Sequence, residues 1–352
     1  MSSPGIQLEI RALSLPSILR FESSRTSSTI SSMSIFRFSY SPNGVRVLAY
    51  IAFPSVLGVH LHDARRILRD SFPEGVVDIE RVTQVTSDWS PNDSVTIESR
   101  DPSVGSRNGG SLRRTSKGDL YSEGSGLDFP SRHQRFPALM YCRGGTGRVG
   151  PVRVEWMEEF CLRNFVVVAP CYRQAEGGQG FDEFGGAENE DVVSLANAMV
   201  NMSVVRDDEI FILGFSRGSI NAFQTAVALP NVRALVTWGG VSDLAITFEE
   251  REDLRRMLRR KVGGTPQERP HEYEKRSPVY LVSSIRCPVL IVHGTRDVQV
   301  SFSHATNLLQ RMRMKNLPVS VHFYEGLGHH VQGVVHEAVI ERICNFLLTH
   351  VD

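Results

Sequence analysis

Three residues with complementary chemistry, Ser216, Asp297 and His329, occur in that order, each in a short loop after an apolar run. A serine hydroxyl is a weak nucleophile until a histidine takes its proton, and a carboxylate holds that ring in the required tautomer. Together the three residue types could attack a carbonyl carbon and take its acyl group onto the serine. This chemistry requires a fold that brings the three loops to one place.

The serine has the most informative surroundings of the three. It lies in Gly214-Phe215-Ser216-Arg217-Gly218, between the apolar run 210–213 and a helical pattern that starts at Ser219. A G-x-S-x-G sequence between a strand and a helix is typical of a nucleophile elbow, whose tight turn needs small neighbours. The alternative is a glycine-rich turn with a serine that only caps the helix.

The aspartate and the histidine are less specific when taken alone. Asp297 lies just beyond the apolar run that ends near His293, where an aspartate in a loop or at a helix N-cap is common. His329 follows Gly326-Leu327-Gly328, and His330 is a competing candidate for the same role. The order Ser, Asp, His on successive strand ends is the order of α/β-hydrolases.

Alternating strand and helix patterns from residue 137 onward are the elements that would position these loops. Apolar runs predict strands at 137–142, 165–170, 209–215, 233–240, 287–294 and 319–326, and a helical pattern follows each of them. This alternation predicts an α/β fold with a mostly parallel, doubly wound sheet and helices on both faces. In such a sheet, functional loops collect at the carboxyl ends of the strands.

The chain divides into four segments. Residues 1–34 read as a disordered tail, and residues 35–54 as an antiparallel hairpin around Asn43-Gly44, which is a strong turn signal. Residues 55–136 read as a long, partly disordered, low-complexity insertion that begins with a short helix and could act as a lid. Residues 137–352 form the predicted catalytic domain, and no fixed-period repeat is visible.

The composition excludes several classes of function. The 352 residues are 41% hydrophobic and 22% charged, with 39 basic and 39 acidic side chains, so no basic excess indicates a nucleic-acid partner. No apolar run approaches the 20 or so residues of a membrane span. Five scattered cysteines without a CxxC pair favour a reduced, cytoplasmic protein, with no metal and no cofactor. Organelle import through the Ser- and Arg-containing N-terminus is the alternative location.

A glycine-rich loop after the strand 137–142 completes the candidate site. It reads Arg143-Gly144-Gly145, and in α/β-hydrolases this loop supplies one N–H donor to the oxyanion while the residue after the serine supplies the other. The donors here would be Gly144 or Gly145 and Arg217, and Arg143 could add a charged donor. A flexible glycine turn without this role is the alternative.

Several motifs together resemble the catalytic domain of the prolyl oligopeptidase family of serine peptidases, within the α/β-hydrolase superfamily. The motifs are RGGTGRVG, YRQAEGGQGFDEFGGAENEDV, GFSRGS, HGTRDVQV and GLGHH, over about residues 137–350. The resemblance implies Ser216, Asp297 and His329 as the triad, and it favours His329 over His330 because His329 directly follows the glycine. Many relatives carry histidine or tyrosine where Arg143 stands, and the large peptidases carry a β-propeller for which this chain is too short.

Asp182 and Glu183 lie in the loop after the strand 165–170, on the side of the predicted site. They could bind a substrate amine, or they could be a solvated or helix-capping pair.

The resemblance implies hydrolysis of peptide-like amides through an acyl-enzyme, on a short-peptide or small-molecule substrate. A small-molecule carboxylesterase or thioesterase is the second hypothesis. A catalytically silent binding protein on the same fold is the third. The sequence indicates no oligomeric state.

Overall fold

The computed structural model describes residues 33–85 and 135–351. The strands of the described residues are β1 Ser34–Tyr40, β2 Val47–Phe53, β3 Val77–Gln84, β4 Phe136–Cys142, β5 Val166–Pro170, β6 Val205–Phe215, β7 Val232–Trp238, β8 Val289–Gly294 and β9 Val319–Tyr324. They form a nine-stranded sheet in the order β3-β1-β2-β5-β4-β6-β7-β8-β9.

The predicted N-terminal hairpin is confirmed. β1 and β2 pair antiparallel from Ser34 opposite Phe53 to Tyr40 opposite Val47, and β2 then pairs antiparallel with β5. The turn between them places Asn43 at a positive φ of 52°, a conformation that asparagine tolerates better than most residues. The hairpin therefore extends the parallel part of the sheet.

The structure continues the sheet into the segment assigned to the insertion. A helix, α1 (Leu61–Ser71), leads to β3, which pairs antiparallel with β1 at the sheet edge. Of the β3 side chains only Val82 is buried, so the alternating apolar signal that would have predicted this strand is weak. The predicted tail up to residue 32 and the insertion residues 86–134 lie outside the described residues.

The predicted parallel sheet is confirmed for strands β4 to β9, which pair parallel in the order β5-β4-β6-β7-β8-β9. Every residue of β5 and of β8 is buried. Burial on both faces explains why these strands read as continuous apolar runs. Their carboxyl ends, and the loops that follow, lie along one edge of the sheet.

Helices cover both faces of the sheet. After α1, the helices of the described residues are α2 Val154–Cys161, α3 Glu188–Val200, α4 Gly218–Ala228, α5 Leu244–Glu250, α6 Glu252–Val262, α7 Pro270–Lys275, α8 Pro278–Leu281, α9 Phe302–Met314 and α10 Gly333–Leu348. One core cluster packs α1, α3, α4 and α9 against one face, and a second packs α2 and α10 against the other. A third, smaller cluster holds a cap built from α5, α6 and α7.

The helical sequence pattern that follows the predicted strand 233–240 runs over residues 248–262, and in the structure it belongs to two helices. The backbone leaves the helical region at Arg251, with φ −113° and ψ 81°, so α5 ends and α6 begins around this residue. None of the helices within residues 33–85 and 135–351 combines the length and apolar character of a membrane span.

Candidate active site

Ser216 lies in a sharp turn between β6 and α4, with a backbone φ of 55°. This left-handed conformation costs a residue with a side chain roughly 1–3 kcal/mol and persists only where its surroundings impose it. The flanking glycines allow the turn because a Cβ on Gly214 would lie 2.5 Å from Ser219 Cα, and one on Gly218 would overlap the carbonyl oxygen of Cys142. The geometry is that of a nucleophile elbow.

Asp297 and His329 are brought together from two loops. The Nδ1 atom of His329 lies 2.7 Å from Oδ2 of Asp297, and both side chains are buried. The other carboxylate oxygen of Asp297 accepts hydrogen bonds from the backbone N–H groups of Gln299 and Val300, each at 2.9 Å. The carboxylate is therefore held at both oxygens, and one of them orients the imidazole ring.

Two contacts connect this pair with the serine turn. The ring of Phe215, the residue before Ser216, lies 5.0 Å from the ring of His329 between centroids. The N–H of Ser216 donates to the carbonyl of Trp238 at 2.9 Å, and the next residue, Gly239, borders the His329 ring. A Cβ on Gly239 would lie 3.1 Å from His329 Nδ1, so a larger residue would press on the ring. Asp297 and His329 thus lie beside the turn that carries Ser216, at one edge of the sheet.

The surroundings of Asp297 favour its charged form. Burial raises the pKa of this carboxyl, but the hydrogen bond and charge of His329 and the N–H of Val300 outweigh it, and the pKa is lowered. A second histidine, His293, also lies against it, with Nε2 3.4 Å from Oδ2 and 2.9 Å from the carbonyl of Val300. Burial lowers the pKa of His293, so its ring is a neutral neighbour of Asp297 at pH 7.

The glycine loop after β4 lies directly against the serine turn. A Cβ on Gly144 would be 2.9 Å from Cβ of Ser216 and 3.2 Å from the Phe215 ring. Gly145 has a φ of 66°, and its carbonyl accepts a hydrogen bond from the Arg217 guanidinium at 3.2 Å. The two segments predicted to supply oxyanion donors, Gly144-Gly145 and Arg217, are therefore in contact.

The Arg143 side chain organises this loop. It is fully buried, and its guanidinium donates to the carbonyl oxygens of a set of backbone groups on both sides of the loop: Cys171, Gly144, Gly147, Val149 and Gly150. It also stacks 4.9 Å above the Tyr172 ring. These contacts favour a supporting role for Arg143 in the loop over the charged oxyanion donor that the sequence left open.

Asp182 is fully buried and pairs with the side chain next to the serine. Both of its oxygens bind the Arg217 guanidinium, at 2.7 and 3.2 Å, and Oδ2 also accepts from Thr146 Oγ1 at 2.5 Å. Arg217 is only 2% exposed, and Glu188 provides it with a second carboxylate at 2.5 Å. Both oxygens of Asp182 are thus bound by side chains of the protein itself. The suggestion from the sequence that Asp182 binds a substrate amine is therefore not supported.

The charges of this buried cluster compensate one another. Burial would raise the pKa of Asp182, but Arg217, Thr146 and Lys261 together hold that pKa well below its ordinary value. Burial and the neighbouring Asp182 raise the pKa of Glu188, and Arg217 opposes them. Lys261 of α6 lies 3.7 Å from Oδ2 of Asp182 and so ties the cap to the cluster.

Glu183 has a different environment from Asp182. Its carboxylate is 37% exposed, accepts from the N–H of Ala187 at 3.0 Å and lies 3.6 Å from Nη2 of Arg276. The N–H contact is a capping interaction close to the start of α3, which was the alternative reading of this residue.

His330 points to a neighbouring arginine. Its Nδ1 lies 3.0 Å from Nη2 of Arg153, and its ring lies 5.4 Å from that of Phe215. His330 therefore lies on the rim of the site, whereas His329 contacts Asp297.

Sequence reasoning did not single out Glu188, Lys261, Arg153 or His293. Glu188 and Lys261 lie 29 and 44 residues from Arg217 in the chain, and no short motif records their convergence. Within the described ranges, no group of three or more His, Cys, Asp or Glu side chains converges as a metal site would require.

The comparisons with known proteins agree with this architecture. Residues 153–352 match the model of the prolyl oligopeptidase family. Over 219 residues the chain is 36% identical to an uncharacterised peptidase of Bacillus subtilis, YtmA, covering 62% of this chain and 85% of that protein. It is 23% identical over 216 residues to dipeptidyl-peptidase 5 of Porphyromonas gingivalis, of which it spans 31%.

Solved structures extend the likeness to nearly the whole chain. A puromycin-hydrolysing peptidase of Mycobacterium tuberculosis superposes with a TM-score of 0.62 at 19% identity, over 92% of this chain and 40% of that one. The shared fold is the α/β-hydrolase fold, and the relatives of this family are hydrolases. The chain therefore belongs to the prolyl oligopeptidase family of serine peptidases.

Proposed function

We propose that this enzyme hydrolyses peptide or acyl-amide bonds through an acyl-enzyme on Ser216, with His329 as the base and Asp297 as the residue that orients it. The observation that carries the proposal is the 2.7 Å contact between His329 and Asp297, buried beside a serine whose φ is positive. The contact selects the tautomer with the proton on Nδ1, which leaves Nε2 free to accept a proton.

The first step forms a bond between Ser216 Oγ and the carbonyl carbon of the substrate while His329 takes the hydroxyl proton. His329 then donates that proton to the leaving amine as the carbon–nitrogen bond breaks, which leaves an ester on Ser216. A water molecule then gives a proton to His329 and adds to the ester carbonyl, and His329 returns that proton to Ser216 Oγ as the carbon–oxygen bond breaks and the acid leaves. Asp297, whose pKa is lowered, stabilises the positive charge that His329 carries between these steps.

The developing oxyanion would be bound by backbone N–H groups from Arg217 and from Gly144 or Gly145. Support comes from the close approach of Gly144 to Ser216 and from the Arg217 side chain, which joins both segments. Asp182 and Glu188 hold this guanidinium, so they would position the donors without touching the substrate. One such donor is worth roughly 10²–10³ in kcat.

The family membership favours short peptides or other acyl amides as substrates. Esters of small molecules remain the second candidate because an acyl-enzyme can form from either. The cytoplasmic location expected from the sequence stays a prediction.

A matched substrate pair tests the proposal. An amide and an ester of the same acyl group are assayed with the wild type and with Ser216→Ala, His329→Ala and His330→Ala. We expect loss of turnover in the first two variants and retained turnover in His330→Ala. Ser303→Ala, in α9, controls for loss of a serine hydroxyl that bonds to Glu250 and not to Asp297 or His329. Turnover that survives Ser216→Ala unchanged would contradict the mechanism, and loss with His330→Ala alone would replace His329 by His330.

A further inference from the structure

Arg153, just before α2, presents a guanidinium at the rim of the site. Its Cζ lies 4.6 Å from the Trp156 ring centroid and 5.3 Å from that of Phe215, the residue that precedes Ser216. Its one hydrogen bond within the described ranges joins Nη2 to Nδ1 of His330 at 3.0 Å. The side chain is therefore held by stacking and by one neutral acceptor, in contact with the serine turn.

The charge of Arg153 has no anionic partner in the described part of the chain, where no carboxylate lies within salt-bridge distance of it. Arg217 differs, because two buried carboxylates neutralise it. The pKa of His330 is lowered to about 4 by partial burial and then by Arg153 and His329, so His330 carries no charge at pH 7. The positive charge at this part of the rim belongs to Arg153, which is only half-buried.

The position of Arg153 relative to His329 identifies the side of the substrate that it meets. Phe215 contacts both the His329 ring and the Arg153 guanidinium. His330, the next residue after His329, is hydrogen-bonded to Arg153. The general acid must lie beside the leaving group in order to protonate it. Since Arg153 shares the neighbours Phe215 and His330 with His329, it lies toward the leaving-group side.

We propose that Arg153 binds a carboxylate of the leaving group, so that the enzyme prefers short peptides cleaved close to a free carboxyl terminus. The inference rests on the proposed function for the direction of the substrate. An arginine fork matches the planar geometry of a carboxylate with two parallel hydrogen bonds, and the aromatic rings fix the fork before the substrate arrives. An acidic side chain in the leaving group would present the same chemistry, and the substrates below separate the two sources.

The test compares one short alanine peptide as its C-terminal acid and as its C-terminal amide, together with an amide that carries aspartate after the cleaved bond. We expect the wild type to prefer the acid in kcat/KM by about ten- to a hundredfold, the usual range for a hydrogen-bonded charge. Arg153→Gln removes this preference, and Arg153→Lys restores part of it. A preference for the aspartyl amide equal to that for the acid would assign the site to acidic side chains instead of the terminal carboxylate, and would overturn the proposal as stated.

Arg296→Gln is the matched control because Arg296 is an exposed arginine next to Asp297. It removes the same charge near the site, and we expect it to leave the acid-to-amide ratio unchanged. An equal loss of preference in both variants would show a bulk charge effect and overturn the proposal. A wild-type ratio near one between kcat/KM for the acid and kcat/KM for the amide would also overturn the proposal.

Binding to the Ser216→Ala protein separates this proposal from the mechanism. This variant keeps Arg153, and its affinity for the acid and amide peptides is measured by calorimetry without any turnover. Tighter binding of the acid, lost in the Ser216→Ala, Arg153→Gln double variant, supports the carboxylate site even if Ser216 is not the nucleophile. Equal affinities for acid and amide would contradict the site while leaving the proposed hydrolysis intact.

Discussion

Replacement of Asp297 by asparagine tests the orientation of His329 without changing the size of the side chain. Two positions are open to the asparagine amide. In the first, its oxygen keeps the bonds from Gln299 and Val300, both 2.9 Å in the native protein, and its NH₂ group faces His329. In the second, the amide is turned over, and the NH₂ group faces those two N–H donors instead.

The first position costs less. Turning the amide over leaves two backbone donors without an acceptor, at about 1–3 kcal/mol each, or roughly 2–6 kcal/mol together. In the favoured position the NH₂ group donates to Nδ1 of His329, 2.7 Å from Oδ2 in the native protein, so the ring proton moves to Nε2. A ring with its proton on Nε2 cannot accept the proton of Ser216.

The tautomer of His329 that can accept the serine proton therefore requires the turned-over amide, which leaves the N–H groups of Gln299 and Val300 without an acceptor. At 1.36 kcal/mol for each factor of ten, a cost of roughly 2–6 kcal/mol lowers kcat by a factor between about 30 and about 3 × 10⁴. We expect KM to change little, because Asp297 is buried and does not contact the substrate in this account.

The assay measures kcat and KM of Asp297→Asn on an ester substrate, with the unfolding transition monitored by circular dichroism. A cooperative transition shows that a fall in kcat is not the result of unfolding. A folded Asp297→Asn protein with kcat within threefold of the wild type would refute the reasoning about the tautomer.

Four further substitutions have expected outcomes. Gly144→Ala places a methyl group 2.9 Å from Cβ of Ser216, so the loop must shift. We expect this shift to lower kcat about a hundredfold. An unchanged kcat would show that the position of this loop does not affect the reaction at Ser216. Asp182→Asn and Asp191→Asn each remove a buried carboxylate that is paired with an arginine. Each should therefore lower the free energy of unfolding, measured by urea denaturation, by about 3 kcal/mol. Only Asp182→Asn should also lower kcat, and equal kcat losses would argue against the role of the cluster. Burial lowers the pKa of His304 to about 4, so between about pH 6.5 and 4 only the unfolded chain binds this proton and stability falls as the pH falls. His304→Asn should reduce the difference between the free energies of unfolding at pH 4.5 and at pH 7, each measured by urea denaturation. A difference as large as that of the wild type would contradict this explanation.

The parallel sheet and the serine turn could be predicted because their signals are local. A buried strand is a continuous apolar run, and a residue held at positive φ between packed elements needs glycines beside it, as Gly214 and Gly218 show. The pairing of Asp297 with His329 could be expected from strand order, since loops at the carboxyl ends of parallel strands meet.

Other features depend on contacts that no local pattern records. β3 exposes most of its side chains at the sheet edge, so its apolar signal is faint. The break between α5 and α6 at Arg251 falls inside a continuous helical pattern. The direction of a long side chain also cannot be predicted from a local sequence pattern. Arg143, for example, donates to backbone carbonyls of its own loop and of the loop that follows the next strand. Asp182 meets Arg217 across 35 residues of chain, which turns a candidate substrate ligand into an internal partner.

Covalent labelling shows whether Ser216 is the nucleophile. The purified protein is treated with a fluorophosphonate, digested and mapped by mass spectrometry, with Ser216→Ala and Asp297→Asn treated in parallel. We expect an adduct on Ser216 alone in the wild type, none in Ser216→Ala, and slow labelling in Asp297→Asn. A folded wild-type protein that forms no adduct, or one that labels at another serine, would contradict the assignment of Ser216 as the nucleophile.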